Sequence, residues 1–320
     1  MNIMLNNYCN LACPYCFIPK NSERINITDE NMRTFIFFLK KSGIRQLRML
    51  GGEPLLHPHF EKYVRAAIND PFFESILIFT NATILSHTLA DSIVSPKTEF
   101  LINLNHPDVI GQEVFITTLN NISVLRDVFH AKRLPVKIRL GLNIFTPDFD
   151  FEYIIKASVG LSIYGIRFSL TVPVTVGEII TQQQYRKFIP RLMQFLDACY
   201  ENQIFARIDC NNIPPCLYAE DQMRNLIALS NHDVCNKQRC FMPMDVTPGL
   251  DVTRCFPFFE TCKTNITYFD NANELVKYFA LNIDAATFEK PTFAECSDCS
   301  LYLKKKCQGG CLSYKFRKSA

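Results

Sequence analysis

Three cysteines stand close together near the start of the chain, in NYCNLACPYCF, at the spacing Cys9-x3-Cys13-x2-Cys16. Three thiolates on one short loop can ligate three irons of a [4Fe–4S] cluster and leave the fourth iron open, which is what inner-sphere chemistry needs. A structural zinc site asks instead for four closed ligands, and no neighbouring His supplies the fourth. A second feature is Gly51-Gly52-Glu53-Pro54, in MLGGEPLLHP. Its glycines admit close backbone approach and its carboxylate can receive a cation, although Gly-Gly before Pro is also a common turn. A third is the tail, with Cys235-x4-Cys240, then Gly249 and Cys255, Cys262, and last Cys296-x2-Cys299-x7-Cys307-x3-Cys311. Eight cysteines suffice for two four-thiolate sites, either zinc or iron–sulfur, and spacing does not separate the two metals.

The rest of the composition bounds the setting. The chain has 320 residues, of which 48% are hydrophobic and 20% charged, so it can bury a large core and is not disordered. A formal charge of +3 is too small for a nucleic-acid face. The basic cluster Lys304, Lys305, Lys306, Lys315, Arg317 and Lys318 reads as a solvated terminus, or as a docking patch for an acidic partner. The N-terminus lacks the basic and apolar regions of an export signal, and no apolar run could span a bilayer. We therefore expect a cytoplasmic protein, in which 14 cysteines mean metal binding or catalysis rather than disulfides. Cys199, on an apolar stripe, reads as a core thiol. Cys210 and Cys216, in DCNNIPPC, fit no ligand spacing and read as buried, or else as part of a loop that borders the active site.

Positioning these groups requires a scaffold, and the sequence outlines one. Residues 2–8, 45–51, 75–81, 99–105, 136–144 and 164–172 have strand character. Helical patterns lie between them. Thr28 N-caps a stripe of Met32, Phe35, Ile36 and Leu39 that Gly43 ends. Phe60, Tyr63, Val64, Ala67 and Ile68 form another stripe, and residues 111–130 carry Phe115, Leu119, Ile122 and Leu125. Alternating strands and helices imply a parallel sheet with right-handed crossovers. Several strands nevertheless carry one polar side, with Asn103 and Asn105, then Lys137, Arg139, Gly141 and Asn143, then Arg167 and Ser169. A sheet curled around a wet, ligand-filled lumen accounts for that face. Asn103, Asn105, Arg139, Asn143, Arg167 and Ser169 read as contacts for ribose, carboxylate or substrate, or else as a hydrogen-bonded lumen network.

CNLACPYC, followed by the aromatic Phe17, resembles the cluster motif of the radical S-adenosylmethionine superfamily. The GGEP segment, placed after the second strand, is similar to that family's motif for the methionyl amine. TNATIL after the third strand resembles its TNG segment, with Ala82 in place of glycine. The resemblance implies an α/β fold, a partial (β/α)6 barrel over residues 1–172, matching the six strands above. It implies that Cys9, Cys13 and Cys16 hold the [4Fe–4S] cluster and that the methionyl amine and carboxylate of S-adenosyl-L-methionine chelate its open iron. Phe17, Gly51, Gly52, Glu53, Pro54 and Asn81 would line that cofactor. Reduction would then yield a 5′-deoxyadenosyl radical.

The tail resembles the SPASM domain, a small Cys-rich α+β extension that carries auxiliary iron–sulfur clusters, here over residues 235–320 beyond a closing helix and bridge at 173–234. The resemblance implies that Cys235, Cys240, Cys255 and Cys311 hold one auxiliary cluster. Cys296, Cys299 and Cys307 would begin a second. The family's final cysteine has no counterpart after Cys311, so the fourth ligand is Cys262, a group other than cysteine, or absent. The implied activity is oxidation or crosslinking of a peptide or protein substrate, with an electron donor such as flavodoxin or ferredoxin. The chain begins at the first barrel strand with no leader-recognition module, which keeps open a small-molecule substrate such as a sugar, an aminocyclitol or an amino-acid derivative. A zinc or iron–sulfur protein without enzymatic activity is the remaining alternative. GGEP beside the cysteine triplet argues against it, because an electron carrier needs no amine site.

Overall fold

In the computed structural model, residues 1–18, 23–171, 181–209, 213–229, 240–285 and 291–313 are described. Contacts divide the chain into two compact units, one of residues 1–141 and 243–277, the other of residues 142–242 and 278–320.

The first unit is built on β1 (Asn2–Met4), whose three residues are buried as a strand with neighbours on both sides must be. β2 (Gln46–Leu50), β3 (Ser75–Thr80) and β4 (Thr98–Asn103) follow in order, each parallel to the last, and β5 (Ile138–Ile144) begins beside β4. Helices α1 (Asp29–Lys41), α2 (Phe60–Asn69), α3 (His87–Ile93), α4 (Pro107–Ile110) and α5 (Gln112–Ala131) fill the crossovers. The expected caps are in place: Thr28 accepts a hydrogen bond from the Asn31 amide at 3.1 Å, and Gly43 takes φ +67° just past the helix. α1 buries Met32, Phe35, Phe38 and Leu39, and α2 buries Phe60, Tyr63, Val64 and Ala67.

On the other side of β1 lies β8 (Asp245–Val246), also parallel to it, and β8 turns into β9 (Asp251–Thr253) as an antiparallel hairpin with β10 (Lys263–Asn265) beyond. The hairpin of the tail thus extends the sheet of the N-terminal strands. Asn2 Nδ2 donates to Asp245 Oδ1 at 2.5 Å, and the Phe256 amide donates to Asp245 Oδ2 at 3.0 Å. Residues 243–277 therefore group by contact with the first strands, whereas the divisions at 172 and 234 follow sequence motifs.

The second unit takes the rest of β5, then α6 (Glu152–Leu161), β6 (Gly165–Leu170), α7 (Gln182–Glu201), β7 (Phe205–Ile208) and α8 (Glu220–Leu229). β6 lies between β5 and β7 and pairs parallel with β7. The expected closing helix is α7, which buries Tyr185, Phe188, Leu192, Met193, Leu196 and Cys199. Phe168 on β6 meets Phe195 on α7 edge to face at 5.4 Å. β7 is a correction to the six-strand count. Its four residues carry only Ala206 and Ile208 as buried positions, too short an alternation to stand out in the sequence.

Thr28→Ala removes the α1 cap and should lower stability by about 1 kcal/mol, read from urea unfolding of the cofactor-free chain.

Candidate functional site

The first unit gathers the cysteine triplet and GGEP. Asn6, fully buried at the end of β1, accepts the Gly52 amide at 3.1 Å on its side chain and at 3.0 Å on its carbonyl, and its Nδ2 donates to the Glu53 carbonyl at 2.8 Å. The Glu53 amide donates to the Tyr8 carbonyl at 3.0 Å. The two glycines make this possible. A Cβ on Gly51 would stand 2.4 Å from Asn6 Oδ1, and one on Gly52 would stand 2.1 Å from the Tyr8 carbonyl oxygen. The β1 and β2 loops are therefore bound backbone to backbone, with Cys9 the next residue after Tyr8.

Glu53 is buried at 1% exposure. Its Oε1 accepts from the Leu55 amide at 3.1 Å and Thr80 Oγ1 at 2.7 Å, and its Oε2 accepts from the Asn81 amide at 2.7 Å. Burial pushes its carboxyl up to about 7, and those three hydrogen bonds pull the other way. Among the described residues no cation pairs with it, so a ligand ammonium would meet a carboxylate already fixed in place. Pro54 is buried beside it and opens the 3-10 turn Pro54–Leu56 that Glu53 caps.

Cys9, Cys13 and Cys16 are free thiols on the loop, the first two partly buried and Cys16 exposed. The Leu11 amide donates to Cys9 Sγ at 3.3 Å, and the Cys16 amide donates to the Cys13 carbonyl at 3.1 Å. Asn81 Nδ2 lies 3.6 Å from Cys9 Sγ, and Asn105 Nδ2 lies 3.4 Å from Cys13 Sγ. Burial pushes the Cys9 thiol up to about 11; the Leu11 amide opposes this, and Glu53, Cys13 and Cys16 add to it. Burial likewise raises Cys13. Donors aimed at sulfur from separate elements suit thiolate ligands, and a positively charged metal core would displace the thiol protons on binding. Among the described residues no three Cys, His, Asp or Glu side chains converge as around a single ion. A cubane cluster asks for less convergence, since each thiolate binds its own iron.

The remaining candidates make these contacts within the chain. Phe17 stacks on Phe256, with centroids 3.8 Å apart. Asn81 Oδ1 accepts from the Thr83 amide at 3.0 Å, and its Nδ2 donates to Asn10 at 3.0 Å. Ala82 holds φ +56°, the left-handed region for which the TNG glycine is suited. Asn105 accepts a short hydrogen bond from the Tyr15 hydroxyl. Asn103 lies against Gly141, where a Cβ would stand 2.5 Å from its Oδ1. Arg139 pairs with Glu99 at 3.1 Å. In the second unit Arg167 pairs with Asp209, and Ser169 Oγ donates to Asn143 Oδ1 at 3.1 Å. Sequence reasoning missed Asn6, Tyr15 and Thr80. An Asn closing the buried apolar run of β1 was the available signal for Asn6, since a buried amide must be satisfied.

The tail cysteines divide between the units. Cys255 and Cys262 belong to the first, where the Thr253 hydroxyl approaches both carbonyls, at 3.3 and 3.0 Å. Cys240, Cys296, Cys299, Cys307 and Cys311 belong to the second. There Gln308 accepts the Cys240 amide at 2.8 Å and donates to Cys240 Sγ at 2.6 Å, which holds Cys240 beside the CQGGC loop. Cys311 Sγ lies 3.1 Å from Ser313 Oγ. Cys216, expected to be buried, is exposed. Cys210, Cys235, Lys315, Arg317 and Lys318 lie outside the described residues.

The chain is similar to known proteins. Residues 3–115 match the family model described as the radical SAM superfamily. The GTP 3′,8-cyclase of Chlorobaculum tepidum is 33% identical over 97 residues, 29% of this chain and 28% of that protein. The GTP 3′,8-cyclase of Aquifex aeolicus is 23% identical over 190 residues, 56% of this chain and 58% of that protein. The chain thus spans well under two thirds of the length of these relatives. Streptococcus suis SuiB bound to S-adenosylmethionine superposes with a TM-score of 0.66 at 14% identity, covering 100% of this chain and 74% of that one. Native anSMEcpe with bound AdoMet gives 0.68 at 14% identity, covering 97% and 88%. The fold is that of these proteins.

Gly52→Ala should force the two loops apart, so that the reconstituted variant loses most of the iron held by Cys9, Cys13 and Cys16 while the fold persists by circular dichroism. Glu53→Gln tests the buried carboxyl in the cofactor-free chain. A folded value of about 7 against an ordinary 4.5 means that stability from this group is whole below pH 4.5 and is lost as pH rises through 7. Wild type should therefore lose about 3 kcal/mol relative to Glu53→Gln across that window in urea unfolding, at about 1.36 kcal/mol per unit. A difference independent of pH would place Glu53 at its ordinary value.

Proposed function

We propose that this chain, which belongs to the radical SAM superfamily, is a radical S-adenosylmethionine enzyme acting on a peptide or protein. The observation that carries the reading is the backbone binding of the cysteine loop to GGEP, which fixes a cation-seeking carboxylate against a three-thiolate loop. When bound, the [4Fe–4S] cluster and S-adenosylmethionine supply reductive cleavage and a radical able to abstract hydrogen. The residues of the chain bind and orient. Cys9, Cys13 and Cys16 hold three irons. Glu53, and the backbone freed by Gly51 and Gly52, receive the methionyl ammonium. Asn81 and Asn105 hold the cysteine loop in register through their contacts with sulfur. Phe17 supports the loop through its stack on Phe256.

In functional terms residues 1–172 make the core, 173–234 the closing helix and bridge, and 235–320 the SPASM-like domain with one or two auxiliary clusters. Support for a peptide substrate comes from likeness over almost the whole chain to SuiB, also solved with the precursor peptide SuiA, and to anSMEcpe, also solved with the Kp18Cys peptide. The matches to GTP 3′,8-cyclases favour a second reading, a small-molecule substrate. A flavodoxin or ferredoxin would deliver the electron. No helix among the described residues is long and apolar enough to cross a membrane, and the enzyme is proposed to work in the cytoplasm.

Anaerobically reconstituted protein with dithionite should cleave S-adenosylmethionine to 5′-deoxyadenosine and methionine. The Cys9→Ala/Cys13→Ala/Cys16→Ala variant should not, while the tail keeps its iron. Cleavage undiminished in the triple variant removes the assignment. Added peptide that raises 5′-deoxyadenosine output above the uncoupled rate favours the peptide reading, and stimulation by a nucleotide instead favours the second.

A further inference from the structure

The cysteine loop leaves the sheet after β1 and returns just before α1, and the chain pins its two ends together. The Ile27 amide donates to the Leu5 carbonyl at 2.8 Å, and the Asn7 amide donates to the Ile25 carbonyl at 3.2 Å. The Asn7 side chain adds two bonds, accepting the Ile25 amide and donating to the Glu23 carbonyl, each at 2.7 Å. Asn6 and Asn26 face each other in an antiparallel bridge. The loop that carries Cys9, Cys13 and Cys16 is thus closed at its neck, with residues 5–7 as entry and 25–27 as exit.

GGEP grips the entry, through Asn6 and Tyr8. The exit is gripped by a residue that follows in the same turn. His57 is 4% exposed, and its ring Nε2 stands 3.1 Å from the Ile27 carbonyl oxygen. Its Nδ1 accepts the His59 amide at 3.0 Å. An accepting ring nitrogen carries no proton, so the neutral ring bears its proton on Nε2 and donates it to Ile27. Burial holds the pKa of His57 below the ordinary histidine value; the Ile27 carbonyl opposes this, His59 adds to it and Asp29 opposes it. The backbone joining the two grips is short and internally bonded. The Leu56 amide donates to the Glu53 carbonyl at 3.1 Å, and the His57 amide donates to the Pro54 carbonyl at 3.0 Å. Glu53 and the holder of the loop exit therefore belong to one rigid turn.

We propose that His57 is a positioning residue for the cysteine loop, fixing the exit of that loop, through Ile27, against the turn that carries Glu53. This rests on the radical S-adenosylmethionine reading above. A cofactor that reaches both Glu53 and an open iron requires a set separation between that carboxylate and the thiolates, and a loop gripped at its entry alone would let the separation vary. Two residues past Ile27, Asp29 accepts from the Tyr63 hydroxyl at 2.7 Å and from Lys62 Nζ at 2.6 Å, and lies 3.1 Å from His59 Nδ1. These bonds seat α1 on α2 without His57, so a change at His57 reaches the loop while the helix stays in place.

Two substitutions separate the two ring nitrogens. The side-chain amide nitrogen of Gln reaches where Nε2 stood and can donate to Ile27, whereas that of Asn is too short and its oxygen can only cap the His59 amide. After anaerobic reconstitution, His57→Asn should keep its circular dichroism and its iron. It should bind S-adenosylmethionine about tenfold more weakly than wild type, the loss expected for one buried hydrogen bond. The affinity is read from the change that the cofactor causes in the electron paramagnetic resonance spectrum of the reduced cluster. His57→Gln should bind as wild type does. Wild-type affinity in His57→Asn, or equal losses in both variants, overturns the positioning role and leaves the radical reading standing. Wild-type protein whose spectrum does not respond to the cofactor overturns both. Nitrogen NMR of the cluster-free wild-type chain needs no variant to fold: His57 should be the Nε2–H tautomer at neutral pH, and a proton on Nδ1 overturns the proposal.

Discussion

The backbone at Gly51 and Gly52 passes so close to Asn6 and Tyr8 that no side chain fits between them. Much of the first unit's site depends on this contact. It places the loop after β1 against the loop after β2, and hydrogen bonds from Asn6 and to Tyr8 then set the relative height of the two loops. Glu53 inherits its position from the same contact and passes it on to β3 through Thr80 and Asn81. Asn81 closes the circuit by reaching back to Cys9. Four consecutive loops at the carboxyl ends of parallel strands are tied in this way, the last through Asn105, which is where open α/β sheets place their ligands.

What the sequence made legible was local or periodic. The N-cap at Thr28, the stripe on α7 and the alternation on β5 each follow from a repeat that a short window contains. The cysteine triplet and GGEP were legible because their spacing has a chemical reason. Less visible were features made by remote pairing. Arg139 looks like a free cation until β4 brings Glu99 beside it, and Arg167 until Asp209 arrives at the end of β7. Cys216 was read as buried and its thiol is exposed, because no periodic pattern in DCNNIPPC tells which side of its turn faces out. β7 is too short for its pattern to register, and the tail hairpin's pairing with β1 joins residues over 240 positions apart.

Ala82 illustrates how a departure from a familiar motif reads in three dimensions. The left-handed backbone that glycine would adopt freely is kept, and alanine bears it at an expense of about 1 kcal/mol. Its buried methyl offsets part of that. Its carbonyl accepts a hydrogen bond from Asn121 of α5 at 2.9 Å, and its amide donates to Thr80 at 2.9 Å, so neighbours on both sides hold the conformation. The segment therefore keeps its shape without the residue that usually confers it.

The arginine pairs on the polar faces have a consequence for what each can hold. Each guanidinium arrives with a carboxylate from an adjoining strand, so each pair is close to neutral when seen from a distance. Neither pair by itself adds much long-range steering of anions or cations. Selection then falls at short range, where an incoming carboxylate or phosphate must first separate Arg139 from Glu99 or Arg167 from Asp209 before it can be held. Each pair, taken by itself, therefore answers to the hydrogen-bonding pattern of an incoming group more than to its charge.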